Sequence, residues 1–196
     1  RPALRRYAAV VGQLLLAVLV VFAYDIENAA FQKVFVLATA GFVVNLFLPQ
    51  QYRRPFFVAM SLAGALLVFG LVDAAWLLGC GLLLIGLCHL PVAFSLRVTL
   101  VLTTAAALAA SRAGAIPSAW SAAVWPILGS MFMFRLVLYM RAVKQKQVEG
   151  GLVGALAYFF MLPNLVFPLF PVVDYQTFRR TYYDRPDVAI YEQGML

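Results

Sequence analysis

The side chains that could do chemistry in this 196-residue chain are few and far apart. The single histidine, His89, lies near the end of an apolar run, with no acidic residue or second histidine close to it in sequence. An ionisable side chain inside an apolar segment is a functional candidate by default. Its isolation and its position near the end of the segment favour a structural role instead, as a hydrogen-bonded or interfacial histidine.

Two cysteines, Cys80 and Cys88, lie eight residues apart and therefore share roughly one face of a helix. A metal site would need further ligands at close spacing, and the sequence around them offers none. We expect buried, unreactive cysteines and no metal site. Nothing in the chain forms a Ser/His/Asp or Cys/His constellation or a phosphate-binding glycine loop.

Arg135 is the most informative charged residue, because it lies inside the apolar run 131–140. Two interpretations are open. The preferred one is that its side chain extends to the nearby membrane interface while its stem stays in the apolar layer. The alternative is that it faces the interior of a helix bundle, where a guanidinium could bind an anionic group such as a phosphate.

Residues 158–171 form an apolar segment of nearly membrane length that contains three prolines, Pro163, Pro168 and Pro171. Proline removes a backbone donor and breaks a helix, and hydrocarbon tolerates such breaks only where the backbone is buried in protein or lines a cavity. Asn164 directly follows the first break, and its amide could satisfy freed carbonyl groups. The segment therefore indicates a site rather than a simple anchor.

The composition predicts the elements that must position these residues. Hydrophobic residues make up 64% of the chain, charged residues only 12%, and the mean hydropathy is +0.91. These values are typical of a multi-pass membrane protein and exclude a small disulfide-stabilised secreted domain. The formal charge of +7 does not point to nucleic acid, because the cations lie at the ends of apolar segments.

Apolar windows of near-spanning length recur along the chain, separated by polar or proline-containing stretches. Asp73 and Pro91 mark two of the boundaries, and residues 49–55 and 111–118 are predicted loops. We predict an all-α polytopic membrane helix bundle with about six or seven spans, the last of them proline-broken. The predicted windows are 8–24, 31–48, 56–72, 74–90, 92–110, 120–140 and 152–170.

The distribution of cations predicts the topology. Nine cations fall on one predicted side of the membrane, and before the tail only Lys33 and Arg112 fall on the other. This asymmetry places the N-terminus and the linker 141–151 in the cytoplasm of a protein of the cell membrane. If the broken segment is re-entrant, the preferred alternative, the tail is also cytoplasmic; if it spans fully, the tail lies outside. The nine cations are Arg1, Arg5, Arg6, Arg53, Arg54, Arg97, Arg141, Lys144 and Lys146.

The tail, residues 174–196, follows the bundle of residues 1–173 and has a pattern of its own. Asp174 is a good helix N-cap, and Tyr175, Phe178 and Tyr182 fall on one face at helical spacing. This pattern predicts an amphipathic helix in the interface, with its rings at headgroup level. The chain begins with Arg-Pro and ends without an obvious stop, so we expect a fragment of a longer protein.

The order of several segments resembles the membrane-bound O-acyltransferase family, closest to the branch that acetylates alginate or D-alanylates teichoic acid. Residues 125–134, WPILGSMFMF, are similar to the family's P-x-G-x-S-F helix start. Residues 159–168, FFMLPNLVFP, followed by Tyr175 and Phe178, resemble its F-F-P-x-L-x-x-G-P-I segment, and residues 53–61 resemble its early part. Met131 between Ser130 and Phe132, and Phe167-Pro168 in place of Gly-Pro, depart from the pattern.

The resemblance covers residues 51–178 and implies the N-terminal half of an acyltransferase. The family's essential histidine lies in a later span, so the catalytic base would lie beyond this chain and His89 does not take its role. The resemblance further implies an acyl thioester donor, with no bound cofactor, and a hydroxyl acceptor on a polysaccharide or lipid. Candidate lining residues of the channel are Ser130, Arg135, Pro163, Asn164 and Pro168.

Three functions remain open from the sequence. The preferred one is transfer of an acyl group, acetyl first, to a hydroxyl, with the lipid bilayer and a membrane or acyl-carrier protein as partners and no nucleic acid. The second is a transporter-like protein whose broken helix builds a substrate site. The third is a non-catalytic membrane scaffold or partner subunit.

Overall fold

The computed structural model describes the backbone of residues 2–148, 151–160 and 174–182, and their side chains except at 2–6, 130–133, 181 and 182. Within these residues every regular element is a helix, which confirms the predicted all-α class. Four helical stretches are long and apolar enough to cross a membrane, and Tyr7–Ala23 is a shorter apolar helix. The four are Ala29–Phe47, Gln50–His89, Phe94–Arg112 and Ala122–Lys144.

The first two helices, α1 (Pro2–Ala23) and α2 (Ala29–Phe47), follow the first two predicted windows closely. The turn between them contains Asp25 and Glu27 in left-handed conformations. Asn28 caps α2, because its side-chain oxygen accepts a hydrogen bond of 2.9 Å from the backbone N–H of Phe31. The polar residues between the first two apolar windows therefore end one helix and begin the next.

The third helix, α3 (Gln50–His89), contains a break that the sequence reading placed three residues too late. Gly70 has φ 75° and ψ 175°, a conformation essentially restricted to glycine, whereas Asp73 is helical. The break divides α3 into residues 50–69 and 71–89, each about 30 Å long and so of spanning length. The predicted loop 49–55 is also wrong: the helix begins at Gln50, and Pro55 is tolerated near its start at the loss of one backbone bond.

The next helix, α4 (Phe94–Arg112), follows a short turn that contains Pro91, the predicted boundary. Arg97 fixes this turn, because its Nη2 donates to the carbonyl oxygens of Leu90 at 2.7 Å and Val92 at 3.3 Å. Leu90 is the C-cap of α3, so the guanidinium satisfies a carbonyl that the helix leaves free.

The sixth predicted window is not one regular helix. It consists of a 3-10 helix at Ala122–Val124, a π-helical stretch at Ile127–Phe132, and the helix α5 (Met133–Lys144). Pro126 stands at the junction, and a proline lacks the N–H that a continuous α-helix would need there. A π-helical turn inside an apolar helix is a frequent mark of a functional position.

The seventh window begins as the helix α6 (Gly151–Phe159), and the tail contains the helix α7 (Tyr175–Tyr182). The candidates Pro163, Asn164 and Pro168 lie outside the described residues, and Ser130 is described by its backbone alone. The long helix α3 is central to the described fold, because it packs against α2, α4, α5 and α6. The buried core lies along its second half and continues into α5 and α6.

Candidate functional site

Arg135 is completely buried, so the preferred prediction that it extends to the membrane interface is wrong. The helix α5 turns this side chain toward α6, where its Nη1 donates a hydrogen bond to the backbone carbonyl of Tyr158. The guanidinium carbon also lies 5.2 Å from the centroid of the Tyr158 ring. A buried cation needs such compensation, because a low-dielectric interior penalises the charge strongly.

The carbonyl that Arg135 binds belongs to the last turn of α6, which ends at Phe159. The last carbonyls of any helix lack intrahelical donors, and in a membrane they must find a partner within the protein. A cation at a helix C-terminus also interacts favourably with the helix dipole. Arg135 therefore satisfies the end of α6 just before the proline-rich segment begins.

The same device recurs at two other helix ends. Arg53 donates from Nε to the carbonyl of Leu48, the C-cap of α2, at 3.2 Å, and Arg97 binds the C-cap of α3. These two arginines entered the topology prediction only as charges. In the structure they are also the hydrogen-bond donors that close helix C-termini, and Arg135 is the buried member of this set.

An aromatic cluster surrounds the Tyr158 end of the arginine bond. The Tyr139 ring lies 6.0 Å from that of Tyr158, 5.1 Å from Phe159 and 5.5 Å from Tyr175. The Tyr158 ring lies 5.4 Å from both Tyr175 and Phe178. Most of these pairs meet edge to face, the geometry that aromatic rings prefer. We call Arg135, Tyr139, Tyr158, Tyr175 and Phe178 the arginine–aromatic junction.

Sequence reasoning did not single out Tyr139 or Tyr158 as members of a site. A signal was present, because Tyr139 follows Arg135 by four residues and therefore lies on the same face of α5. Both tyrosines are fully buried although each carries a hydroxyl group. A tyrosine inside an apolar window, one helical turn from a charged residue, indicates a polar cluster in the interior of the protein.

His89 joins the edge of this junction from the end of α3. Its Nε2 lies 2.9 Å from the Tyr139 hydroxyl oxygen, and the two rings meet edge to face at 5.6 Å. The imidazole is itself exposed. Of the two alternatives predicted for His89, a hydrogen-bonded or an interfacial histidine, the hydrogen bond is present.

The helix α7 brings two rings into the junction, and Asp174 fixes its start. The carboxylate accepts backbone N–H bonds of 3.0 Å from Gln176 and Thr177, and the Thr177 hydroxyl donates to it at 2.7 Å. These bonds, led by that of the Thr177 hydroxyl, lower the pKa of Asp174 below its usual value. The predicted cap is confirmed. The rings of Tyr175 and Phe178 are buried in protein, and the interfacial depth predicted for α7 stays a prediction.

A polar cleft lies on the other side of α7, between this helix and the end of α5. It is lined by Lys146 and Gln147 from the linker and by Gln176, Arg179 and Arg180 from α7. The tail helix therefore lies beside the linker 141–151. The path of the proline-rich segment, re-entrant or fully spanning, lies outside the described residues and stays a prediction.

A second set of polar contacts joins the start of the second half of α3 to the 3-10 helix. Asp73 accepts from the backbone N–H of Ser121 at 3.0 Å and from the Ser121 hydroxyl. All three tryptophans meet beside it, with ring centroids 5.1 Å apart for Trp76–Trp120 and 5.3 Å apart for Trp120–Trp125. Tryptophan favours the membrane–water interface, so this cluster marks the opposite face of the bundle from the linker.

The cysteines take no part in either cluster. Cys88 is buried and donates weakly from Sγ to the carbonyl of Leu84 at 3.3 Å, and Cys80 is half-buried. Among the described residues, no group of three or more His, Cys, Asp or Glu side chains is close enough to hold a metal ion. What the arginine–aromatic junction can do chemically is to hold the end of α6 against α5 and α7 and to keep a cation in the interior.

These features define a class: the chain is a multi-pass helical membrane protein with an arginine buried at the C-terminal end of a helix. No family model, curated protein or solved structure matches it.

Proposed function

We propose that the chain forms the N-terminal membrane part of an O-acyltransferase. The enzyme would move an acyl group, acetyl first, from a thioester donor to a hydroxyl of a polysaccharide or lipid. The observation that carries the proposal is spatial. Described residues of three stretches that carry the family resemblance lie at or beside one place, the arginine–aromatic junction. Residues 125–134 lead directly into Arg135, the Phe159 ring lies 5.1 Å from that of Tyr139, and Tyr175 and Phe178 pack on Tyr158.

The contacts explain why those stretches would belong together. The segment that begins at residue 125 leads directly into Arg135, whose guanidinium binds Tyr158 at the end of α6. Tyr175 and Phe178 close on the same ring from the far side of the proline-rich segment. The end of α6 and the start of α7 are thereby joined at Tyr158, although about a dozen residues separate them along the chain.

The prolines of this segment free backbone groups, and in a membrane such groups need fixed partners of the kind that a channel wall supplies. In this proposal the chain's own residues orient and enclose the reactants and exclude water. The general base that activates the acceptor hydroxyl lies in a later part of the longer protein. The acyl group passes from sulfur to oxygen, and the thiol of the donor leaves with the proton.

Deletion and complementation of the gene test the proposal. We expect the deletion strain to lose ester-linked acyl groups that mild alkali releases from an envelope polysaccharide or lipid. The intact protein should restore them, and so should His89→Ala, because His89 lies at the edge of the junction. An unchanged ester content in the deletion strain would favour the transporter or scaffold alternatives. Comparable loss in a normally expressed His89→Ala strain would instead make His89 part of the site.

A further inference from the structure

An apolar groove lies between the last two turns of α4 and the start of the π-helical stretch. It is separate from the arginine–aromatic junction and has no role in the proposed acyl transfer. Its volume is about 190 Å³. An apolar cavity of about 150 Å³ already holds benzene, so the groove can hold a segment of a hydrocarbon chain. One face of α4, from Ala105 to Arg112, lines one side, and Trp125, Leu128 and Gly129 line the other.

The groove opens at the end of α4 that is far from the basic linker. The start of α4 lies beside the end of α5, because the Lys144 ammonium nitrogen is 4.6 Å from the centroid of the Phe94 ring. A helix of 19 residues is about 28 Å long, so Arg112 stands near the opposite membrane interface. Trp125, in the tryptophan cluster, marks the same level. From Arg112 back to Ala105 the groove extends about 10 Å into the hydrocarbon layer.

Arg112 differs from the arginines that close other helix ends. The last carbonyls of α4 are bonded by the turn that follows, since the N–H groups of Ala113 and Ala115 donate to Ala109 and Ala110 at 2.9 Å and 3.0 Å. Among the described residues, the Arg112 side chain makes no hydrogen bond or ion pair. The helix dipole offsets the equivalent of only about half a charge. The guanidinium therefore keeps its donors and much of its charge for a ligand.

The space beside this guanidinium exists because residue 129 is a glycine. Gly129 is exposed, and a Cβ added to it would lie 3.8 Å from Nη1 of Arg112, in ordinary van der Waals contact. A longer side chain there would extend into the groove next to the cation. The glycine also belongs to the π-helical stretch, and π-helical turns are frequent at functional positions.

A ligand that fits this groove is apolar along its length and anionic at the end beside Arg112. The lipids around the bundle combine both properties at the right depth, and a guanidinium donates paired N–H bonds to phosphate oxygens. Because lipid tails are as apolar as the groove, the charge at the interface selects the lipid. We propose that the groove binds an anionic phospholipid, with its phosphate at Arg112 and the first part of one acyl chain against Gly129.

Photolabelling of the intact protein in phosphatidylcholine nanodiscs tests the proposal. The probe is phosphatidylglycerol with a diazirine in the first half of one acyl chain, and mass spectrometry should find saturable label at residues 105–112 or 125–129. Arg112→Gln should weaken binding about fivefold, the factor that one basic residue near a surface contributes. The control Lys33→Gln removes an exposed charge from the same predicted side, and screening should limit its loss to less than about twofold. Equal losses would show diffuse surface charge and overturn the proposal.

A second pair of variants tests the acyl chain separately from the headgroup. Gly129→Leu fills the groove while Arg112 stays, and it should abolish the label at both stretches. Gly79→Leu adds the same side chain where no heavy atom lies within 4 Å of the Cβ, and it should keep the label. Label that persists in folded Gly129→Leu protein would contradict a bound chain. The comparison of Arg112→Gln with Lys33→Gln decides the proposal even if Gly129→Leu does not fold.

Two results with the wild-type protein would also overturn the proposal. Equal labelling by a phosphatidylcholine probe with the same diazirine chain would contradict selection by charge. Absence of label at both stretches would show that another part of the longer protein covers the groove.

Discussion

At the scale of single residues, Arg135 illustrates how packing decides the role of a charge. Its position near the end of an apolar run favoured an interfacial side chain, yet the side chain is completely buried and binds Tyr158 of α6. The helix α6 begins more than fifteen residues away in sequence, so no local pattern could reveal this contact. The sequence singled out Arg135 as a candidate but predicted the wrong direction for its side chain.

Replacement of Arg135 by methionine should destabilise the protein, because it leaves the carbonyl of Tyr158 without its donor in the interior. A lost bond of this charged type corresponds to roughly 1–3 kcal/mol. For a chain of this size we expect Tm to fall by about 2–10 °C, measured by thermal unfolding in detergent. Arg141→Met, an exposed position on the same helix, is the control and should change Tm little. A Tm equal to wild type in Arg135→Met would mean that the bond contributes nothing.

At the scale of elements, the apolar windows predicted helices α1, α2 and α4 well, because length and hydropathy decide what can cross a bilayer. The break in α3 was predicted at the wrong residue, because Gly70 lies among apolar residues and no polar residue marks its position. The polar residue nearby, Asp73, instead binds Ser121 while remaining helical. The irregular sixth segment was missed for a similar reason, since the residues on both sides of Pro126 are apolar.

Substitution of Gly70 by alanine tests the break. The backbone conformation at Gly70 is one that residues with a Cβ strongly avoid, so Gly70→Ala should cost about 1–3 kcal/mol. No heavy atom lies within 4 Å of the added Cβ, and backbone strain is therefore the sole expected cause. Gly79→Ala, in open space within the helical second half of α3, should be neutral or stabilising by up to about 1 kcal/mol. Thermal unfolding gives the Tm of each variant. Equal Tm values for Gly70→Ala and Gly79→Ala would contradict the break at Gly70.

The cap of α7 predicts a pH dependence. Because hydrogen bonds lower the pKa of Asp174 below 3.8 in the folded protein, its stabilisation of α7 is present above that value. It is lost as the pH falls through the lower, folded-state pKa. Hydrogen exchange at the Thr177 amide, corrected for its intrinsic pH dependence, should therefore accelerate as the pH falls below 3.8 and through the lower pKa of the folded protein. Asp174→Asn retains an acceptor but does not titrate, so its protection should not change over this range.

At the scale of the whole molecule, the bundle has two polar ends. One carries the tryptophan cluster and the bond between Asp73 and Ser121, and the other carries the linker, α7 and the basic cleft. The sequence predicted this asymmetry from the distribution of cations. The sequence did not decide on which side of the membrane the tail lies. That depends on whether the proline-rich segment crosses the membrane or re-enters on the same side, and its composition allows both.

Cysteine accessibility tests the arrangement of the two ends. In a background without Cys80 and Cys88, we expect Lys146→Cys and Arg180→Cys to react with a membrane-impermeant maleimide from the same side. Asp25→Cys, in the turn between α1 and α2, should react only from the opposite side. Labelling of the cysteines at 146 and 180 from opposite sides would show that the proline-rich segment crosses the membrane.

The central claim is that this bundle belongs to an enzyme that forms acyl esters. Its most direct test is the transfer of a radiolabelled acetyl group from a thioester donor by the intact protein, purified and reconstituted with envelope acceptors. The account predicts time-dependent label in an alkali-labile ester, and it predicts that Arg135→Met reduces the rate while Arg141→Met does not. The assay is repeated with acetyl and longer acyl donors and with both polysaccharide and lipid acceptors. If folded wild-type protein forms no labelled ester in any of these reactions, the claim of an ester-forming enzyme is contradicted.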